Sequence, residues 1–141
     1  EIIYSLHLYS PEGAEETDQH VTVLYGLLTD DPSDVVRVVS GFGPIQYKVM
    51  RTGFFSNQEC DVVFLNIEST GLHRLNACLR SELEYENSHP SYIPHLTLAY
   101  VKRGFGHLYN NRSLSVTGRV FTAQSIVFSP KTDDRRVEIP L

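Results

Sequence analysis

One pattern occurs twice in this chain: His-apolar-Thr-apolar-apolar-Tyr, as His20-Val21-Thr22-Val23-Leu24-Tyr25 and His95-Leu96-Thr97-Leu98-Ala99-Tyr100. In a strand, residues i and i+2 share a face. Each copy therefore presents an imidazole beside a hydroxyl and turns its intervening apolar residues into a core. With six histidines in 141 residues, a single His-x-Thr is easily reached by chance. A second copy with the same flanks is not. The pair predicts two strands that together supply two titratable groups and two neutral donors, a set suited to acid–base chemistry on a phosphodiester.

The residues around the motifs predict a mixed α+β domain spanning 1–141. Strand-like Ile2 to Tyr9 leads into a polar loop, Ser10 to Gln19, broken by Pro11 and Gly13. The first His strand runs from His20 to Leu27. Asp30, Asp31 and Pro32 then start a short helix through Val39 that is expected to bury Val35, Val36, Val38 and Val39. Strands Ile45 to Phe55 and Asp61 to Ile67 flank the turn Ser56-Asn57-Gln58-Glu59. Ser69-Thr70 caps a helix whose Leu72, Leu75, Leu79 and Leu83 recur at three- and four-residue spacing, and Asn87-Ser88-His89-Pro90 stops it. After the second His strand come the Lys102-Arg103-Gly104 loop, one or two strands within Val116 to Phe128, and an edge strand over Arg136 to Leu141. Read in order, the elements predict two successive half-domains, each with a His strand and a helix.

Composition narrows the class. The net charge is −5, too acidic for a broad grip on long double-stranded nucleic acid, which needs many phosphate-neutralising cations. A small phosphorylated ligand in a local pocket remains compatible. No apolar run approaches the length of a membrane span, so no membrane partner is expected. Cys60 and Cys78 carry no metal-type spacing and lie in apolar segments, which predicts two buried free thiols and a reducing, cytoplasmic setting. The chain opens on Glu1 rather than Met, as a trimmed protein or a piece of a longer one would.

The twin motifs resemble those of the 2H phosphoesterase superfamily, also described as LigT-like or 2′-5′ RNA ligase-like. Pro94 immediately before the second histidine is similar to that family's approach. So is the apolar run Val62-Val63-Phe64-Leu65-Asn66-Ile67 leading into the helix from Leu72 to Leu83. The resemblance implies a bilobal fold, two pseudo-twofold-related lobes of antiparallel sheet plus helices around a central cleft. It also implies metal-independent cleavage of phosphodiesters in small nucleotides: 2′,3′-cyclic phosphates, 2′-5′ oligoadenylates or cyclic oligonucleotides. His20 and His95 would be the acid–base pair, and Thr22 and Thr97 would bind the phosphate. The compact phage members that degrade cyclic-oligonucleotide immune signals are similarly small, and Ile126 to Pro130 with Val137 to Leu141 looks like their ends.

Unperturbed imidazoles titrate near pH 6.5, so one neutral and one protonated ring coexist near neutrality with little tuning, and no cofactor or metal is needed. Around this core, Lys102 and Arg103 are candidate phosphate contacts, and Tyr9 and Phe55 are candidate base-stacking surfaces. Tyr4, Tyr47 and Phe54 are weaker stacking candidates. Tyr25 and Tyr100 stand an odd number of residues from their histidines and are expected on the opposite, core face. His7, His73, His89 and His107 lack a Thr partner. A monomer acting on a small nucleotide is expected. The rival readings are a non-catalytic nucleotide- or RNA-binding module using the same cleft, and a metal-dependent hydrolase. The latter lacks a third ligand at suitable spacing.

Overall fold

The computed structural model describes residues 16, 18–87, 91–131 and 135–141. The expected strand from Ile2 to Tyr9, with Tyr4, His7 and Tyr9, lies outside them, as do His89 and Pro90. Two α-helices, α1 (Pro32–Val39) and α2 (Thr70–Glu82), alternate with strands β1 (Ile45–Ser56), β2 (Cys60–Glu68), β3 (His95–Lys102), β4 (Val120–Ala123), β5 (Ser125–Phe128) and β6 (Val137–Pro140). A 3₁₀ turn covers Gly106–Tyr109. The strands form a four-stranded sheet in the order β3-β2-β1-β4 and a separate β5-β6 pair. The expected mixed α+β architecture is present.

The chain divides into two compact units, each built from three segments. Glu1–Val21, Lys48–Glu68 and His95–Arg119 make the first; Thr22–Tyr47, Ser69–Pro94 and Val120–Leu141 make the second. The units therefore interleave along the chain instead of following one another, and both α-helices fall in the second. Antiparallel pairing of β2 with β3, which lie either side of α2 in sequence, overrides chain order.

In the first unit, β2 reads as a near-continuous apolar run because it is central and buried on both faces. Its antiparallel partners are β1 and β3, each carrying one irregularity, between Val49 and Thr52 and between Thr97 and Ala99 respectively. Val63, Ala99, Val101 and Tyr109 form a buried cluster on one face, with Phe54 and Leu98 packed against it. The 3₁₀ turn seats there because residue 106 is glycine: a Cβ would stand 2.7 Å from the Phe54 ring and 2.8 Å from Asp61 Cβ. The other edge of β1 is satisfied by the segment after this turn. Val49 N–H donates to the Arg119 carbonyl, and Gly118 N–H donates to the Val49 carbonyl. The Thr52 hydroxyl donates to the Tyr109 carbonyl and accepts from Arg112 N–H.

In the second unit, the Asp31 carboxylate caps α1 through Ser33 N–H at 2.9 Å, and Pro32 occupies the first turn. Only Val35 and Val39 are buried. Val36 is 44 % exposed and Val38 partly so, because an eight-residue helix has one apolar stripe and adjacent residues are turned about 100° apart. Ser69 caps α2 by accepting from Leu72 N–H, and its hydroxyl donates to the Gln46 carbonyl at 2.6 Å. Leu72, Leu75 and Leu79 are buried as expected, while Leu83 falls at the cap. Cys60 is a buried free thiol, but Cys78 is exposed, since it is rotated off the leucine stripe. The helix ends at Glu82, before the expected stop, where residues 84–86 pair with 26–28. Leu27 bridges Tyr85, and Leu28 N–H donates to the Glu84 carbonyl. Gly26, at φ +89°, lies so near the Glu86 carbonyl that a Cβ would clash.

Asp61 is the anchor of the first unit's polar interior. It is 1 % exposed, yet its carboxylate accepts from the Ser56 hydroxyl at 2.6 Å and from Gly104 and Gly106 N–H at 3.0 and 2.9 Å. Burial pushes its pKa up, but these donors and the Arg103 charge outweigh that and hold it below the ordinary aspartate range. A depressed carboxyl pKa contributes stability that is present above the unfolded value, near pH 4, and is lost as pH falls through the folded value. Asp61→Asn should therefore cost about 2 kcal/mol at pH 7 and should flatten the acid limb of the stability curve. Urea unfolding at pH 7 and pH 3 checks both; equal stabilities at pH 7 would remove Asp61 from this role.

Candidate functional site

The second motif lies on a continuous strand, and the first does not. Residues 20–27 are extended chain held by isolated bridges at Val21 and Leu27, not the continuous strand expected. The Val21 bridge is antiparallel to Leu96. It pairs the middle apolar residue of one motif with that of the other. Neighbours of a bridged residue project to the opposite face. By that register His20 takes the backbone position across from Thr97, both within the first unit. Thr22 opens the second unit; its side chain is exposed and its carbonyl accepts from the Tyr92 hydroxyl at 2.7 Å. Burial pushes the Tyr92 pKa upward, which keeps that hydroxyl a donor.

Register defines the face that His95 and Thr97 occupy. Directly opposed residues share a face: Asn66 opposes His95, Phe64 opposes Thr97 and Val62 opposes Tyr100, whereas Val63 opposes Ala99. The extra residue of β3 is Leu98. Strict alternation would have carried the His95–Thr97 face on to Ala99 and Val101, which are fully buried. The bulge switches faces instead, sending Leu98 and Ala99 to the buried cluster and returning Tyr100 to the motif face. Tyr100 was expected on the opposite face and stands on this one. Tyr25, expected in the core, is 68 % exposed, because no regular strand dictates its side.

Around His95 the face is aromatic. The Phe64 ring centroid is 5.0 Å from the imidazole, and Phe55, 46 % exposed, is 6.2 Å away and edge-on. Phe55 and Phe64 also touch, at 5.7 Å. Gly53 permits this packing, since a Cβ there would lie 2.9 Å from the Phe64 ring. Asn66, beside His95, donates to the Arg51 carbonyl at 3.0 Å and so ties down the irregular stretch of β1.

His20 is exposed, and its Nδ1 lies 2.7 Å from the Asp18 carbonyl. A carbonyl only accepts, so Nδ1 carries the proton and Nε2 is left to exchange protons with a ligand. Other expected contacts are not gathered here. Lys102 ends β3, seven residues and about 23 Å of strand from His95 at about 3.3 Å per residue. Arg103 is exposed, with its charge toward Asp61. Tyr9 lies outside the described residues. In the second unit Tyr47 stacks on Phe121 at 5.7 Å, and exposed His73 packs edge-on against Tyr92 at 5.3 Å.

Sequence reasoning missed Tyr100, Phe64 and Asn66 as members of this neighbourhood. The signal for Tyr100 was present: two consecutive apolar residues, Leu98-Ala99, interrupt the alternation. Among the described residues, no group of three or more His, Cys, Asp or Glu is placed to hold a metal ion, and no helix is long and apolar enough to cross a membrane.

A family model for the 2′-5′ RNA ligase superfamily matches residues 5–104. No curated protein matches the chain. The matched span contains both His-x-Thr motifs and the β1-β2-β3 sheet that carries the second of them. On that match the chain belongs to the 2′-5′ RNA ligase superfamily, the 2H phosphoesterases that its paired motifs resemble.

Proposed function

We propose that this protein is a metal-independent phosphodiesterase that cleaves small nucleotide phosphodiesters by two-histidine acid–base catalysis. The observation that carries the reading is the antiparallel Val21–Leu96 bridge, which joins the two motifs at their middle residues. One imidazole, neutral, takes a proton from the nucleophile, water or a ribose 2′-hydroxyl. The other, protonated, delivers one to the leaving oxygen. The two exchange roles with the direction of the reaction. His20 works through Nε2, since its Nδ1 is committed to Asp18. Thr97 donates to a non-bridging oxygen, and the stiff χ1 of threonine keeps that donor aimed. Exposed Phe55 offers a face on which the base of a nucleotide substrate stacks. A 2′,3′-cyclic phosphate, a 2′-5′ oligoadenylate and a cyclic oligonucleotide all present the required phosphodiester.

Incubation with these three substrate classes in the presence of a strong chelator, with products separated by chromatography, tests the reading. Turnover should persist with chelator, and binding without turnover of any class would replace catalysis with recognition. His20→Ala or His95→Ala should lower kcat/KM by about 10²–10⁴-fold, and the double variant should lose little more, because the pair acts as a unit. Thr97→Val should cost about 1.5–3 kcal/mol of transition-state stabilisation. Full activity in His95→Ala would exclude the mechanism.

The pH dependence checks the division of labour. With one ring neutral and the other charged, kcat/KM should trace a bell with its maximum between about pH 6 and 8. Both limbs belong to the pair, not to either residue. A rate that climbs steadily to pH 10 would point to hydroxide attack.

A further inference from the structure

Tyr100, Glu16 and Asp18 form a hydrogen-bonded clip between the two motifs. The Tyr100 hydroxyl donates to Glu16 Oε2 at 3.1 Å, and Asp18 N–H donates to Glu16 Oε1, also at 3.1 Å. Glu16 N–H donates in turn to the Leu98 carbonyl, the bulged residue of β3, at 2.9 Å. The Asp18 carbonyl then accepts from His20 Nδ1 at 2.7 Å. Each of these contacts lies within the first unit. From the proposed function we infer that Tyr100 is a positioning residue for His20: acting through Glu16 and Asp18, the tyrosine that ends the second motif fixes the tautomer and aim of the first motif's histidine.

Three observations support this. The bulge at Leu98 puts Tyr100 on the motif face, within reach of Glu16. Burial, the hydrogen bond to Glu16 and the Glu16 charge all raise the Tyr100 pKa, so its hydroxyl remains a donor across the working range. Glu16 also spends both carboxylate oxygens locally, one on each side of the clip. Among the described residues before His20, Glu16, Asp18 and Gln19 lie in no regular strand, so these tethers hold them. An exposed imidazole held by one carbonyl loses its preferred tautomer when that carbonyl moves.

The test has one arm that needs no turnover. Imidazole ¹⁵N shifts, followed to the alkaline plateau of their own pH titration, should report His20 as the Nδ1–H form. Tyr100→Phe and Glu16→Ala should both move it toward the mixture of a free imidazole. Glu16→Gln, whose amide still bridges the two partners, should stay near the wild-type value. The second arm is kinetic. Tyr100→Phe should lower kcat about 3- to 10-fold with KM within about twofold. The same change should cost nothing further in a His20→Ala background, where the residue it positions is gone. An unchanged His20 tautomer in folded Tyr100→Phe, or a loss that persists undiminished without His20, overturns the inference. If no substrate is turned over, the phosphodiesterase reading fails while the ¹⁵N shifts still decide the clip.

Discussion

The bulge at Leu98 is the constraint on which the first unit depends. β3 must meet two demands that a regular strand cannot satisfy together. Its first half has to hold an imidazole and a hydroxyl in a half-polar setting, and its second half has to fill a core with Ala99 and Val101. By alternation these four side chains would share one face. Burying His95 and Thr97 among them would leave polar groups short of partners, at a cost of about 1–3 kcal/mol each. One extra residue resolves the conflict by changing the face between Thr97 and Ala99. It also sets where Tyr100 points and which carbonyl Glu16 meets.

Both sheet partners of β2 are irregular, and in each case a polar side chain or backbone group takes up the slack. Asn66 spans the irregular stretch of β1 by donating to the Arg51 carbonyl, and Glu16 meets the displaced Leu98. The central strand itself stays regular and apolar. This division lets β2 serve as a rigid reference while its neighbours adjust to place side chains. The Asp61 carboxylate does the same for the chain leaving β3, gathering the N–H groups of Gly104 and Gly106.

Much of this was legible in the sequence where the signals were local. The helix caps at Asp31 and Ser69, the β1-β2 turn and the leucine stripe of α2 follow from short-range chemistry, and all are found as expected. The repeated motif pointed to His20, Thr22, His95 and Thr97 because its spacing matches the strand period. Period-two reasoning failed at Tyr100 and Tyr25 because it assumes an unbroken ladder. In one motif the ladder is bulged, and in the other it shrinks to single bridges. The interleaved units were equally hidden, since pairing between distant strands leaves no periodic trace. Cys78 shows the smaller error of reading an apolar neighbourhood as burial when a helix turns each residue away from the last.

The segment map of the first unit has a consequence for biosynthesis. Its boundaries fall at Val21, inside the first motif, and at His95, the opening residue of the second. A chain growing from its N-terminus therefore exposes His20 long before its bridge partner has been made. Until Leu96 emerges, the segment around Val21 has no edge to join, and until Arg119 follows, β1 lacks its flanking strand. Contacts so distant in sequence form late, after the loop-closure entropy has been overcome. The Val21–Leu96 bridge thus waits for β3, and no nascent fragment ending before Leu96 can carry it.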